Sequence, residues 1–400
     1  MAGRGKGEGA IYKDARGLWT ASVELPSHDG QRRRKVIRSK DKRVVVTKLA
    51  EMRNELQKRG DLPTTAQTVE QWMTYWFENI AIKRVRPNTA AGYRSVIWSH
   101  VIPVIGRIRL ERLQPADVRR VHKRILATLK DSKNPEKGFL SSTYALNAHR
   151  VMAKALSDAE RDGKIGRNPA RLTDAPRKSL PMLNALSVEE AVQVIRLVVA
   201  AFENHDVYDP EPVRWATYLL TGARRGEVLG IEADRVGDVL DLSWQLQRVT
   251  NLSTVPVDYE YREIANGLCW TRPKSQAGWR IIPLVNPLKT ILETHMSRAG
   301  SNPHGLLFVN ADGNPIDPDT ESKRWPRVLM GSGITEKKVR LHDLRHTTID
   351  LLYEAGVPED VIMEIAGQST RSVTRGYKSR GNQKRLTEAM LQLSAFIQAH

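Results

Sequence analysis

An arginine and a tyrosine near the end of the chain are side chains suited to chemistry at a phosphodiester. Arg345 lies within residues 341–346 (LHDLRH), and Tyr377 follows it thirty-two residues later. A reacting arginine needs an anion to bind, and a nucleophilic tyrosine needs an electrophile and a proton acceptor. A phosphodiester satisfies both needs, so we expect the rest of the chain to help handle one.

Three further signals in the second half of the chain could join them. Residues 221–228 (TGARRGEV) place Arg224 and Arg225 at a break between helices, and residues 271–280 (TRPKSQAGWR) predict a strand, a turn bearing Lys274 and a second strand. His342 precedes Arg345 by three positions, which would put both on one helix face. Each signal is weak alone, because surface arginines and turn lysines are common.

In this order, the motifs resemble those of the tyrosine recombinase (phage integrase) family, of the type that carries an arm-binding domain. The resemblance is strongest over residues 181–385. It aligns one set of side chains with the family's catalytic residues: Arg224, Lys274, His342, Arg345, Gln368 and Tyr377. Gln368 departs from the family pattern, which has histidine or sometimes tryptophan nine residues before the tyrosine.

The resemblance implies a role for each of these side chains. The two arginines would clamp the non-bridging oxygens of the scissile phosphate and stabilise the transition state. Tyr377 would attack phosphorus and form a 3′-phosphotyrosine, so rejoining would need neither ATP nor water. Lys274 would protonate the departing 5′-oxygen. His342 would accept a proton or donate to phosphate, and Gln368 would donate an amide N–H without titrating.

Some assignments have rivals within the same motifs. Arg225 competes with Arg224, although a neighbouring contact or a structural ion pair suits it better, and His346 competes with His342. Glu227 is expected to orient the arginines and not to react. The mechanism requires no cofactor and no metal, and the sequence shows no His-x-x-x-His pair or carboxylate trio near the motifs.

The charge of the chain favours a polyanionic partner. The net charge is +18: residues 1–64 hold 16 lysines and arginines against 8 acidic residues, residues 65–180 hold 22 against 10, and the remainder holds 25 against 27. Solubility alone would not concentrate the excess in the first 180 residues. Nucleic acid binding by the N-terminal half explains this distribution better.

Residues 1–64 are predicted to form an arm-type DNA-binding domain. Three short strands, the last at residues 31–38, precede an amphipathic helix that ends at Gly60. The third strand is basic, and a β-sheet can enter the major groove of DNA. We therefore expect an exposed basic strand whose DNA contacts come from Arg32, Arg33, Arg34 and Lys35.

Residues 65–165 are predicted to form an all-α domain that binds the core site. A capping box at residues 68–71 opens the first helix, which is rich in aromatic residues with the spacing of a core face: Trp72, Tyr75, Trp76 and Phe77. Basic side chains face outward on the later helices. Expected DNA contacts are Arg86, Asn88, Thr89, Arg119, Arg120 and Lys123.

The remainder is predicted to be a linker and a catalytic domain. Residues 166–186 carry three prolines and form the linker, and residues 187–400 form a mainly α domain with a small β region at 239–246, 268–272 and 279–284. The fold class is thus multidomain and mainly α, with an N-terminal three-stranded β-sheet plus helix. The apolar stripe of the terminal helix would fold back on its own domain or, as the resemblance implies, dock into a neighbouring protomer.

The lone Cys269 excludes an internal disulfide and a cysteine-based zinc site. The N-terminus lacks the apolar core of a signal peptide, and no apolar run approaches the roughly 18 residues that a membrane span needs. We expect a protein of the bacterial cytoplasm that associates with the nucleoid and not with a membrane.

These inferences predict a site-specific DNA recombinase (integrase) of a temperate phage or related mobile element. A homotetramer would cut and rejoin double-stranded DNA at core and arm attachment sites through a Holliday junction, helped by a host DNA-bending factor and a directionality factor. The alternatives are a host chromosome-dimer recombinase, a type IB topoisomerase-like strand transferase and a DNA-binding protein without catalysis. The arm domain argues against the first two, and the nearly complete catalytic set argues against the third.

Overall fold

A computed structural model describes residues 11–28, 31–59, 67–179, 184–203, 208–249, 251–252, 255–273, 278–368 and 380–400. The chain divides into two compact units, residues 1–180 and 181–400, with the boundary inside the predicted linker. Within the described ranges, no helix combines the length and the apolar character needed to cross a membrane.

The first unit begins with a small antiparallel sheet backed by one helix. Strands β1 (Ile11–Lys13), β2 (Trp19–His28) and β3 (Gln31–Ser39) pair in the order β1-β2-β3, and helix α1 (Lys42–Arg59) follows. Ala21 and Val23 of the sheet pack against Val45 and Leu49 of the helix and form a separate small core. The predicted sheet-plus-helix arrangement is confirmed.

The basic strand β3 does not expose all of its charges, which corrects the expectation made above. Side chains alternate between the two faces of a strand. Arg32 and Arg34 are exposed, whereas Arg33 and Lys35 are half-buried on the face of Ile37, which packs against the small core. The exposed face of this part of β3 therefore carries two of the four predicted contacts.

In the described residues of the first unit, the α-helices that follow are α2 (Val69–Trp76), α3 (Pro87–Val96), α4 (Ile102–Ile105), α5 (Pro115–Leu126) and α6 (Ser142–Arg161). The predicted capping box is present at the start of α2. The indole N–H of Trp72 donates to the carbonyl oxygen of Ala155 at 3.0 Å, and that of Trp76 donates to the Asp158 carboxylate at 2.6 Å, so α2 is fixed on α6. Tyr75 is 49% exposed and does not belong to the predicted core face.

Most of the DNA-contact candidates in this helical part lie on accessible surfaces. Arg119, Arg120 and Lys123 are exposed on α5, whose opposite face is buried. At the start of α3, Asn88 and Thr89 are exposed, and the half-buried Arg86 is the N-cap residue. The start of a helix presents unpaired backbone N–H groups and favours anions, so these positions suit contacts with a DNA backbone.

The helical part extends beyond its predicted end at residue 165. Asn168 is buried, and its side-chain amide donates to the carbonyl oxygen of Ala153 at 2.8 Å and to the hydroxyl of Ser157 at 2.9 Å. Ala170 is buried in the hydrophobic core that α2 to α6 form. The first part of the predicted linker is therefore packed against α6, because Asn168 anchors it there.

The second unit is mainly helical. Its helices are α7 (Val188–Glu203), α8 (Glu211–Thr221), α9 (Arg225–Leu229), α10 (Leu288–Arg298), α11 (Pro318–Gly331), α12 (Leu344–Glu354), α13 (Glu359–Ala366) and α14 (Arg380–Ala399). Its strands are β4 (Val239–Asp241), β5 (Gln245–Arg248), β6 (Tyr261–Ala265), β7 (Leu268–Thr271) and β8 (Ile281–Pro283). They pair as β4-β8 and as β5-β7-β6.

The small β region differs from its prediction in two ways. The single strand expected at residues 239–246 is two strands, β4 and β5, which belong to different sheets. Strand β6 was not predicted, because residues 261–265 (YREIA) lack an alternating apolar pattern. Its partner β7, in contrast, is buried along its whole length.

The terminal helix α14 packs on its own unit in the single chain. Its apolar stripe is buried in the core of the second unit, and the hydroxyl of Ser394 donates to the carbonyl oxygen of Asn286 at 2.6 Å. Arg385 forms an ion pair with Asp360 at 2.6 Å. Docking of this helix into a neighbouring protomer stays a prediction.

Candidate active site

A tight turn after α8 places Arg224 at the start of α9. Gly222 ends α8 in the left-handed region at φ 59°. A Cβ atom at this position would lie 3.2 Å from the side chain of Thr348, so both the backbone and the packing favour glycine. Arg224 is the N-cap residue of α9, and its side chain remains 35% exposed.

Glu227 holds Arg224 in a fixed orientation. The carboxylate is fully buried; its Oε1 accepts from Nη1 of Arg224 at 2.6 Å, and its Oε2 accepts from the Arg224 backbone N–H at 2.7 Å. Burial by itself would raise the pKa of Glu227, but the positive charges of Arg280 and Arg224 outweigh it and hold the pKa at about 2. Glu227 is therefore an anionic support for the arginines, as the sequence predicted.

Arg280 is a third member of this cluster, and the sequence reasoning missed it. Its side chain is 4% exposed, and Nη2 donates to Oε2 of Glu227 at 2.9 Å while Nε donates to the carbonyl oxygen of Ile365 at 2.7 Å. Its Nη1 is buried and has no acceptor among the described residues. The available signal was its position two residues before the apolar Ile282, which predicts that both side chains point inward.

Arg345 is buried close to the same cluster. It is 5% exposed, and Nη1 donates to the carbonyl oxygen of Gly222 at 3.0 Å. Its Nη2 is buried without an acceptor in the described part of the chain. Burial, together with repulsion from Arg224 and Arg280, lowers the pKa of Arg345 to about 9. This guanidinium is thus an electropositive group that an anion would stabilise.

His342 lies beside Arg345 but not on the same helix, which corrects the expected helical pair. Residues Leu341–Asp343 form a 3-10 turn, and α12 begins at Leu344. Asp343 caps the start of this turn, because its buried carboxylate accepts from the backbone N–H of Arg340 at 3.0 Å. His342 is exposed, and partial desolvation followed by the charges of His346 and Arg345 lowers its pKa below the usual 6.5.

Gln368 follows the end of α13 and is half-buried. Gly367 ends this helix in the left-handed region at φ 59°, and its carbonyl oxygen accepts from Nη2 of Arg224 at 3.2 Å. The Gln368 backbone N–H donates to the carbonyl oxygen of Met363 at 2.9 Å. The segment that carries Gln368 is therefore tied directly to Arg224.

Lys274 and Tyr377 lie outside the described residues, but the base of the lysine-bearing loop is described. Arg272 stacks between Trp244 and Trp279, with its guanidinium 4.0 and 4.6 Å from the two ring centroids. A Cβ atom on Gly278 would lie 2.6 Å from that of Pro273, so the two ends of the loop are in close contact. Cation–π stacking and this glycine hold the ends together.

Arg225 points away from the cluster. Its Nη1 donates to the hydroxyl of Ser322 at 2.6 Å and lies 3.4 Å from the carboxylate of Asp319, both on α11. This is the structural ion pair considered for it above. Among the described residues, no group of three or more side chains is arranged to hold a metal ion.

The cluster combines three guanidinium groups with one buried carboxylate and therefore carries an excess of positive charge. Arg224 supplies exposed N–H groups and Arg345 supplies a buried one, while His342 stands at the rim. Buried donors without acceptors bind an anion at little reorganisation cost. The arrangement can bind a phosphate and stabilise additional negative charge on it.

Comparison with known proteins agrees with this chemistry. The model of the phage integrase family matches residues 194–383, and that of the phage integrase N-terminal SAM-like domain matches residues 68–126. An integrase of Saccharopolyspora erythraea is 28% identical over 425 residues and covers 93% of this chain and 92% of its own. An integrase of Streptomyces ambofaciens is 25% identical over 400 residues, with the same shares of 93% and 92%.

Solved structures share the fold. The Tn1549 transposon integrase in complex with transposon right end DNA has a TM-score of 0.60 at 20% identity and covers 80% of this chain and 99% of its own. A lambda integrase tetramer bound to a Holliday junction has a TM-score of 0.52 at 15% identity and covers 92% and 98%. With two family matches in the expected order and relatives that align along nearly its whole length, this chain belongs to the phage integrase family of tyrosine recombinases.

Proposed function

We propose that this protein is a site-specific integrase that cleaves and rejoins attachment-site DNA through a 3′-phosphotyrosine on Tyr377. The observation that carries the proposal is the buried Nη2 of Arg345, which has no acceptor among the described residues. A buried charged donor without an acceptor is costly unless a ligand supplies one. A non-bridging oxygen of the scissile phosphate is such an acceptor, and Arg224 would bind it from the solvent side.

Charge supports the same assignment. Burial lowers the pKa of Arg345, and repulsion from the positive charges of Arg224 and Arg280 lowers it further. A bound phosphodiester would relieve this repulsion, and the pentacoordinate transition state, with more charge on its oxygens, would relieve it further. Interactions that strengthen in the transition state accelerate the reaction.

The cleavage step would be a transesterification. The phenolic oxygen of Tyr377 forms a bond to phosphorus while the bond from phosphorus to the 5′-oxygen breaks. The Tyr377 proton passes to His342, whose pKa lies below 6.5 and which is therefore neutral at physiological pH. Lys274 donates a proton to the departing 5′-oxygen, and Gln368 donates an N–H to a phosphate oxygen. Religation is the reverse reaction.

The remaining modules would bring two DNA duplexes to this site. The exposed arginines of β3 would hold arm sites, and the exposed basic residues of α3 and α5 would contact the core site. The protein would act as a tetramer in the bacterial cytoplasm, with a host DNA-bending factor and a directionality factor, and α14 would dock into a neighbouring protomer. The lambda integrase tetramer on a Holliday junction supports the assembly.

A trapping experiment tests the chemistry. A core-site duplex nicked beside the scissile phosphate loses the short cleaved strand, so the covalent intermediate accumulates. Wild type is expected to form a covalent adduct with this DNA, and Tyr377→Phe to bind it without forming one. Absence of adduct with wild type on its cognate site would show a DNA-binding protein without catalysis.

The modular assignment has its own test. Removal of residues 1–64 is expected to abolish arm-site binding and to leave cleavage of isolated core sites, because the sheet and α1 have a core of their own. Loss of both activities would contradict the assignment.

A further inference from the structure

Arg280 lies within the arginine cluster, yet the proposed cleavage step leaves it without a role. We propose that Arg280 is a positioning residue. It holds Glu227 and the end of α13 in the places where both bind Arg224, and these contacts orient Arg224 toward the scissile phosphate. The inference rests on the proposed function, because it concerns how Arg224 is presented to phosphate. It assigns no direct contact between Arg280 and DNA.

The charge of Glu227 must be balanced if Arg224 is to bind phosphate. A carboxylate paired with one guanidinium competes with phosphate for that guanidinium. Here the two oxygens are divided: Oε1 binds Nη1 of Arg224 at 2.6 Å, and Oε2 binds Nη2 of Arg280 at 2.9 Å. Arg280 therefore neutralises the charge of Glu227, so the carboxylate can orient Arg224 while Arg224 keeps its own charge available to an anion.

Arg280 and Arg224 also bind the same end of α13. The last carbonyl groups of a helix lack intrahelical partners and carry partial negative charge. Arg280 binds the carbonyl oxygen of Ile365 at 2.7 Å, and Arg224 binds that of Gly367 at 3.2 Å. The two arginines thus hold the same helix end, and Glu227 joins them. Loss of Arg280 would release both the carboxylate and the helix end from their common support.

A buried ion pair can also serve stability alone, and the same unit contains a matched example. Arg214 is 2% exposed and donates from Nε to Oε1 of Glu321 at 3.0 Å. This pair joins α8 to α11 and makes no hydrogen bond to Arg224. Arg214→Met therefore removes a buried arginine from a buried glutamate without touching the phosphate-binding residues, which makes it the control for Arg280→Met.

The test measures single-turnover cleavage of nicked core-site DNA that carries either a normal phosphate or a methylphosphonate at the scissile position. A methylphosphonate lacks the negative charge, so it depends less on the arginine clamp. We expect Arg280→Met to slow cleavage of the normal phosphate on the order of 100-fold, as for a misplaced catalytic group. The rate ratio of methylphosphonate to phosphate should rise, as it should for Arg224→Ala.

Two further variants separate positioning from folding. Arg280→Lys retains the positive charge beside Glu227, so its melting temperature should stay near that of wild type. The lysine side chain has a single nitrogen and cannot bind both Glu227 and Ile365, so cleavage should remain slow. Arg280→Met should slow cleavage by a smaller factor in a Glu227→Gln background than in the wild-type background, because the two residues act as a unit.

The outcomes distinguish this inference from the proposed function. If Arg224→Ala raises the ratio while Arg280→Met leaves it at the wild-type value, as expected for Arg214→Met, then Arg280 is only structural and the inference is overturned. Wild-type cleavage by Arg280→Lys would overturn it as well. If Arg224→Ala leaves cleavage intact, the phosphate clamp itself fails.

Discussion

Arg345 donates a hydrogen bond from Nη1 to the carbonyl oxygen of Gly222 at 3.0 Å, across 123 positions of sequence. Gly222 stands two residues before Arg224, so the turn that presents one arginine is held by the other. Because Gly222 has a positive φ, this carbonyl depends on a backbone conformation that other residues rarely adopt. The two arginines are therefore coupled through the backbone as well as through their charges.

The anion-binding role of Arg345 predicts stabilisation by oxyanions in the absence of DNA. Sulfate should raise the melting temperature of wild type above that in chloride of equal ionic strength. At ten times its dissociation constant, sulfate should raise the free energy of unfolding by about 1.4 kcal/mol. Arg345→Met should lose most of this increment. Arg235→Met, which removes an arginine paired with Glu232 and Asp241 elsewhere in the unit, should keep it. An equal sulfate effect in Arg345→Met would contradict the role.

The lowered pKa of His342 predicts the pH dependence of cleavage. A proton acceptor works in its neutral form, and a pKa below 6.5 keeps His342 neutral down to that pH. The single-turnover rate should therefore be level near neutral pH and fall only as the pH decreases below about 6.5, the unperturbed value. His342→Gln should be slower and lose this acid limb.

His346→Gln is the matched control for the pH profile. Its ring centroid lies 6.1 Å from that of His342, and its charge helps to lower the pKa of His342. The variant should keep the acid limb and move it to higher pH. An acid limb that survives in His342→Gln would assign the proton acceptor to another group.

Gln368 is expected to contribute one neutral hydrogen bond to phosphate. Gln368→Ala should slow cleavage about 10-fold, which corresponds to roughly 1.4 kcal/mol. Gln368→His should retain most of the rate, because an imidazole can also donate an N–H. The measurement is single-turnover cleavage beside Arg345→Ala. A loss as large as that of Arg345→Ala would show that Gln368 has a larger role.

Gly226 permits the close packing of α9 on β5. A Cβ atom at this position would lie 2.6 Å from the carbonyl oxygen of Leu246, a backbone atom that cannot rotate away. Gly226→Ala should lower the free energy of unfolding by about 1–3 kcal/mol in chemical denaturation. Gly237→Ala is the control, since its Cβ would have no neighbour within 4 Å. Equal stability of the two variants would contradict this packing argument.

The sequence by itself determined the family, and it predicted the order of the modules and the residues of the site. Arginine, histidine, lysine and tyrosine have reactivities that follow from residue type. Their order along the chain can be read without knowing any tertiary contact. The capping box at α2 and the amphipathic faces of α1 and α5 are likewise local patterns, which depend on neighbours within a few residues.

Only the tertiary structure decided which residues support the reacting ones. Arg280 resembles any strand arginine in sequence, and its role arises because Glu227 and Ile365, 53 and 85 positions away, lie within hydrogen-bond distance. The placement of Arg345 also depends on a distant element, because its Nη1 donates to the carbonyl oxygen of Gly222, 123 positions away. Such contacts follow from the fold as a whole, because hydrogen-bond partners far apart in sequence leave no periodic pattern in either segment.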